Sequence, residues 1–478
     1  MDQLRKLEHA SLRGTKSVRL PLLFNPDPPH AVSKFGTTPC AEQQIPRSRN
    51  AIKMLCDWKR VFLQATRREP AHVFPEPVEE ARWTDRLKYF HPTEPGQILD
   101  GRFKTIAKLG YGRGSTVWLA ENLSCKLWSK SKLPRYVSIK IAARDIDAAD
   151  EMGFLKLISN ANPSHEGLKY IRVPLDVFDL QGENGTHSCL VFEPMRETLY
   201  KFQRDLPGEK FKVPLFKAYM YMLLKALDYL HTECRLIHTD IKDDNILLSP
   251  MPDSDIRPFA NYCKASAQPR YIREEDGRVT YVSHDEIYGI RGIAWPRLAD
   301  FNACFPLLPD GLCHLSPIQS HRCRAPEVLL GIPWSYKVDI WNLGNTQLFE
   351  NPIGDDGEYD AHVHLAQMVT LFGEPPPLLL KRELLCRENK LDGVILNPKG
   401  KECKTMNEYW GGPFFDEEGC MIRKELIKER KDPDFWEELA EKDLDQFLDF
   451  AAGMIRWLPE NRKTAAELLQ HPFLFHEG

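Results

Sequence analysis

From residue 96 onward the apolar and polar positions fall into short alternating runs. "FKTIAKL", "STVWLA" and "RYVSIKIA" each put alternate side chains on one face, with turn residues between them, a period of two that predicts three successive strands. "DAADEMGFLKLIS" changes the period and places Met152, Leu155 and Ile158 on one face of a helix. "HSCLVFEPM" reads as a further strand. "PLFKAYMYMLLKALDYLHTEC" then holds helical apolar spacing for about five turns, opened by proline. A strand-rich part followed by a helical part predicts an α+β protein of two lobes: an N-lobe over 96–195 and a C-lobe over 196–478. Residues 1–95 are proline-rich and patchily apolar, which predicts a partly disordered extension with a short helix near 50–66. Between "NILLSP" and "RLADF", residues 249–296 are polar with little periodicity, and read as an insertion loop.

Composition narrows the setting. Apolar content of 42% and charged content of 28% are those of an ordinary globular protein. The net charge of −4 is uneven, because residues 1–60 carry eleven Lys/Arg against five Asp/Glu, leaving about −10 on the rest. An acidic body suits basic substrates, and no direct nucleic-acid contact is expected. The twelve cysteines lack metal-ligand spacing, and the N-terminus lacks a signal-type apolar core, so reduced thiols in the cytoplasm and nucleus are expected. No apolar run reaches the roughly 18 residues of a membrane span.

"KLGYGRGSTVWLA" sets Gly110, Gly112 and Gly114 between two strands. Closely spaced glycines let backbone N–H groups approach phosphate oxygens, although a tight hairpin alone would also explain them. The run is not a dinucleotide fingerprint, since a strand follows, nor a Walker A loop, since no GK[ST] closes it. Lys140 ends the next strand, where its ammonium can reach phosphates under the glycine turn, and Glu151 on the following helix can pair with it. "LIHTDIKDDNILL" concentrates Asp240, Lys242, Asp243, Asp244 and Asn245 between aliphatic flanks, and unpaired charge there would be costly to bury. An aspartate can accept a hydroxyl proton, a lysine can neutralise a phosphoryl group, and an asparagine is a neutral oxygen ligand for Mg²⁺. Asp300 in "LADFNAC" offers a second hard-oxygen ligand. Singly each residue could be a cap or turn; their order and context together point to one site.

In that order the chain resembles the eukaryotic protein-kinase family over about 100–475. The likeness rests on the glycine loop, "VSIK", the helix glutamate, "HTDIKDDN", "ADF", "APE", "DIWNLG" and Arg462 in "PENRKTAAELLQHPFL". It implies a two-lobed kinase fold using ATP and Mg²⁺. Leu109, Gly110, Gly112, Gly114, Ser115 and Val117 would cover the nucleotide, and Lys140 would bind its α/β-phosphates while paired with Glu151. Asp240 would be the catalytic base, Lys242 would assist the γ-phosphate, and Asn245 and Asp300 would hold the metal. Phe192 is similar to the gatekeeper, with Glu193 and Met195 meeting adenine through their backbone. Glu327 would form a buried ion pair with Arg462. "HTDIK", with Thr239 for the usual arginine, "ADFNAC", the insert and "HVHLAQMVTLFGEPPPLLL" are similar to serine/arginine-protein (SR-protein) kinases, particularly fungal-like members.

The resemblance implies a monomeric serine/threonine kinase acting on Arg/Ser-rich proteins in mRNA splicing. Asp355, Asp356 and Glu358, or Asp432, Asp434, Glu437 and Glu438, are candidates to meet the arginines. Asn302 stands where the family has glycine, and 344–347 (Gly-Asn-Thr-Gln) make the "DIWNLG" helix about a turn short. A pseudokinase scaffold that keeps the fold without phosphotransfer is the alternative these departures suggest.

Overall fold

The computed structural model describes residues 17–18, 72–125, 133–146, 149–182, 185–284, 294–309, 311–345, 348–349, 352–391, 393–429 and 441–475. The helix expected near 50–66 and the acidic cluster at 432–438 lie outside them.

The alternating runs form a six-stranded sheet of β2 (Ile98–Leu99), β3 (Phe103–Gly112), β4 (Ser115–Asn122), β5 (Tyr136–Ala142), β6 (Asp176–Gly182) and β7 (Gly185–Phe192). Its order is β2-β3-β4-β5-β7-β6. Strand β5 is buried nearly throughout, and Val137, Ile139 and Ile141 share a core with Phe103, Trp118, Cys189 and Val191. Helix α1 (Ala149–Asn160) buries Leu155 and Ile158 as the period predicts, together with the carboxylate of Glu151. In the second lobe, α2 (Val213–Asp228) starts with proline in its first turn and buries residues around most of its circumference. An all-round apolar helix belongs at the centre of a lobe, and α2 is surrounded there by Leu236, Phe447, Leu468 and Phe473.

The described part of the segment expected to be an insertion loop, 249–284 and 294–296, is instead structured. After β8 (Ile246–Leu248) come helix α3 (Asp253–Ala265) and the hairpin β9 (Arg270–Ile272) and β10 (Val279–Tyr281), and the chain rejoins the site through β11 (Pro296–Leu298), which pairs with β8. Ile256, Ala260 and Cys263 of α3 and the preceding Met251 pack on Ile106, Ala107, Leu119 and Tyr136 of the sheet. The hairpin also pairs with β1 (Val73–Phe74) in the stretch before the sheet.

These two segments converge on Lys108, which is fully buried two residues before Gly110. Its ammonium meets Glu79 at 2.7 Å, Glu80, and the Tyr281 carbonyl at 3.0 Å. Gln268 meanwhile brackets its backbone N–H and C=O at 3.1 and 3.0 Å. Burial drives the Glu80 carboxyl up from its ordinary range, against the pull of Lys108. The glycine loop is thus rooted on a strand clamped from outside the sheet. Ile256→Ala is expected to cost about 2–4 kcal/mol, since the cavity adds to the lost transfer energy. Thermal unfolding would register this as a drop of several degrees, and an unchanged melting temperature would mean that α3 does not support the sheet.

Candidate active site

The glycine turn is a continuous hairpin: Gly110 pairs with Val117, and Gly112 with Ser115. A Cβ on Gly110 or Gly112 would meet nothing within 4 Å, so the backbone at both positions has open space beside it. Leu109 belongs to the same strand end and packs on the cluster that anchors α3.

Lys140 lies opposite Val117 across the ladder. Its ammonium is 2.7 Å from Glu151 Oε1 and 2.9 Å from Asp300 Oδ1. Burial alone would lower its pKa, but Asp300 and Glu151 outweigh that, so Lys140 is held charged. Burial likewise raises the Asp300 carboxyl, and Lys140 reverses the shift and keeps it below the ordinary range. Lys140 and Asp300 thus stabilise each other's ionised forms.

The charged stretch after Ile237 holds the second half of the site. Asp240 Oδ2 accepts from Lys242 Nζ at 2.8 Å and from Asn245 Nδ2 at 2.9 Å, and Asn245 Nδ2 also donates to the Asp240 carbonyl at 2.8 Å. With its amide hydrogens so engaged, Asn245 keeps its Oδ1 for a cation. Asn245 is held beside Asp300 by the β8–β11 ladder and by the bond from Ala299 N to the Asn245 carbonyl, 2.9 Å. Among the described residues no group of three His, Cys, Asp or Glu side chains could hold a metal ion. The pair Asn245 and Asp300 fits Mg²⁺ instead, which takes one or two protein oxygens and completes its shell with phosphates and water.

What fixes this loop is Asp339, fully buried in the first turn of α4 (Lys337–Asn345). Its carboxylate accepts from His238 N at 2.8 Å, Thr239 N at 2.8 Å and His231 Nε2 at 2.9 Å. Thr239 has φ +66°, unfavourable for a β-branched residue, and the Asp339 bond holds it there. Its hydroxyl then donates to the Ala303 carbonyl at 2.6 Å, tying the catalytic loop to the segment after Asp300.

The departure at Asn302 has a physical account. The left-handed residue near the metal ligands is Asp300 itself, at φ +66°, and not Asn302, and Asp300 is still aimed at Lys140. Helix α4 is described over Lys337–Asn345. A Cβ at Gly344 would come within 2.8 Å of Met454 Cβ, so the glycine admits that neighbour. The helix delivers Asp339, and its Asn342 and Asn345 donate to the carbonyls of Cys323 and Arg322 at 2.7 and 3.0 Å. Residues 346–347 lie outside the described residues.

At the hinge, the antiparallel bridge between Met195 and Pro250 is bonded through neighbours, Met251 N to the Pro194 carbonyl at 3.0 Å and Arg196 N to the Leu248 carbonyl at 3.3 Å. In that pattern the N–H and C=O of Met195 turn to the opposite edge, where a flat ligand can meet them. The Glu193 carboxylate is bound by Arg297 at 2.8 Å.

With this geometry in place, the comparisons decide the family. The protein kinase domain family matches residues 103–474. The chain belongs to the protein kinase family. A serine/threonine protein kinase of Aspergillus fumigatus is 31% identical over 397 residues, covering 80% of this chain and 87% of that protein. A serine/threonine-protein kinase SRPK of Physarum polycephalum is 28% identical over 418 residues, covering 80% and 88%. Human SRSF protein kinase 3 is 35% identical over 175 residues, 36% of this chain and 29% of that one. A solved kinase domain superposes with a TM-score of 0.55 at 21% identity, covering 81% of this chain and 99% of that chain, which shows the two-lobed fold. This kinase is therefore a serine/threonine protein kinase of SR-protein-kinase type, in a family that uses ATP and Mg²⁺. The pseudokinase alternative finds no support in these relatives.

Proposed function

We propose that this kinase transfers the γ-phosphate of ATP to serine hydroxyls in Arg/Ser-rich proteins, as a monomer of the cytoplasm and nucleus, in the control of mRNA splicing. The reading is carried by one observation: the Asp240 carboxylate, with Lys242 and Asn245 on one oxygen, is joined to the Lys140–Glu151–Asp300 group by the bond from Ala299 N to the Asn245 carbonyl. The serine oxygen attacks the γ-phosphorus as the bond to the β-bridging oxygen breaks. ADP departs, and the hydroxyl proton passes to Asp240. Lys140 orients the α- and β-phosphates, and Lys242 faces the transferring group. Mg²⁺, when bound, would be held by Asn245 and Asp300 and would neutralise the developing charge on the phosphates.

A cleft of ≈ 720 Å³ opens on this site, lined by Asp240, Lys242, Asp243, Asp244, Tyr409 and Trp410 among others. Its wall is continuous with the acidic loop, because Tyr359 stacks on His321 at 4.5 Å and touches Trp410 at 6.1 Å. In that loop Asp356 is bound by Lys399 at 2.6 Å, and Asp360 caps a helix and meets Arg423 at 2.8 Å. Asp355 and Glu358 are exposed and would meet the substrate arginines. The test compares an Arg-Ser repeat peptide with the same peptide carrying glutamine for arginine, with Mg-ATP. The Arg-Ser peptide is expected to have a kcat/KM at least about tenfold higher, the equivalent of one good charged contact. Equal turnover of both would sink the Arg/Ser assignment and leave the kinase activity standing.

The bond from Thr239 to Ala303 also bears on regulation. Where relatives with arginine at this position order the activation segment through a phosphate, this kinase uses a hydroxyl and a carbonyl. Phosphatase treatment is expected to leave turnover unchanged, whereas Thr239→Val lowers kcat by about five- to tenfold through loss of that bond. Loss of activity on dephosphorylation would refute this account.

A further inference from the structure

Behind Phe192 lies a cation that the phosphotransfer chemistry does not use. The Arg172 guanidinium sits 4.0 Å from the Phe192 ring centroid. Its Nη2 donates to Ser138 Oγ at 2.8 Å, and Ser138 Oγ donates to the Glu193 carbonyl at 3.3 Å. Ser138 is buried and pairs across the sheet with Phe192. Arg172 N is bonded to the Leu298 carbonyl at 2.8 Å, and Arg297 beside it holds the Glu193 carboxylate. Strand β11 therefore carries, within four residues, the anchor of Arg172, the anchor of Glu193 and the approach to Asp300. Burial lowers the Arg172 pKa to about 10, with Asp300 and Glu151 opposing that shift, so the group remains a cation. A buried guanidinium stacked on a ring face and bonded into a two-step relay fixes both the ring and the carbonyl at the end of the relay.

We propose that Arg172 is a positioning residue for the adenine site: it holds Phe192 in place as the rear wall and, through Ser138, sets the Glu193 carbonyl that receives the adenine amino group. This rests on the reading of the space bounded by the glycine turn, Lys140 and the hinge as an ATP site. The relay occupies one side of that carbonyl and leaves its second lone pair for the ligand. Without the guanidinium, the Phe192 ring loses its stacking partner and gains room to swing back, so the wall yields to larger groups at the adenine amino position.

Steady-state kinetics on the full chain test this, with Arg172→Ala, Arg172→Lys and Ser138→Ala, using ATP and N6-benzyl-ATP as phosphate donors. Arg172→Ala is expected to raise the KM for ATP about five- to tenfold, with kcat within about twofold of wild type, and to gain use of N6-benzyl-ATP. Arg172→Lys should recover part of the KM and reject the bulky analogue. Ser138→Ala, which changes little volume, should raise the KM about threefold, and the double variant should show less than the product of the two effects, because both break one relay. An unchanged KM in Arg172→Ala, or a loss confined to kcat, overturns the proposal. So does a multiplicative double variant, even if Arg172→Ala itself folds poorly and only Ser138→Ala and Arg172→Lys are compared. The underlying nucleotide reading fails separately, if wild type shows neither turnover nor a melting shift with Mg-ATP.

Discussion

Asp240→Asn is expected to lower turnover of an Arg-Ser peptide by about 10²–10⁴-fold, the range that a positioned general base contributes. The substitution is isosteric, but the amide cannot take the serine proton. It must also turn either its oxygen or its own N–H₂ toward Lys242 Nζ and Asn245 Nδ2, both of which are donors at 2.8 and 2.9 Å. Asp240 makes no bond to Lys140, Glu151 or the hinge, so nucleotide binding should survive. Stabilisation by Mg-ATP in a thermal-shift measurement is therefore expected to match wild type while phosphate transfer fails. Retained turnover would move the base elsewhere, and equal silence of variant and wild type would remove the catalytic reading altogether.

Much of this site is legible in the sequence because its parts are short and local. Lys140 lies near the end of a strand, Glu151 follows on the next helix, and Asp240 to Asn245 lie within six positions, so their order alone suggests a shared ligand. What escaped depends on contacts that no local pattern encodes. The insert reads as loop because the apolar stripe of α3 is Ile256, Ala260 and Cys263, spaced as one helix face but small, and its strands are three residues long. Its partners lie some 150 residues earlier in the chain. Lys108 looks like a solvent-facing strand lysine until Glu79, Glu80 and Tyr281 are brought around it. The left-handed turn falls at Asp300 and not at Asn302, because the backbone conformation there follows from aiming the carboxylate at Lys140. Arg172 lies four residues before the polar-apolar strand β6, with nothing local to mark it, and only the fold puts it behind Phe192.

Removing one partner of the Glu327–Arg462 pair should have the largest effect on stability. Both side chains are fully buried and meet in a two-pronged contact of 2.7 and 2.6 Å. Arg462 further donates to the carbonyls of Arg456 and Lys337, each at 3.0 Å, and lies over the Trp341 ring. Almost every donor of the guanidinium is thereby satisfied, and Glu327 supplies the counter-charge beside it. Glu327→Gln leaves that cation buried without a counter-charge, at a cost of about 3–5 kcal/mol. Arg462→Leu strands the carboxylate instead, with a cost of the same order. Replacing both, as Glu327→Met with Arg462→Leu, removes the desolvation penalty along with the attraction. The double variant is therefore expected to melt above either single one, a non-additivity that a structural role for the residues separately would not produce. It should still transfer phosphate poorly: Glu327 follows directly on the segment that Gln319, Asn342 and Asn345 hold against α4, and a pair of apolar side chains keeps the volume but not the direction of that anchor. Single variants melting within about 1 °C of wild type would show that the pair does not hold the lobe together.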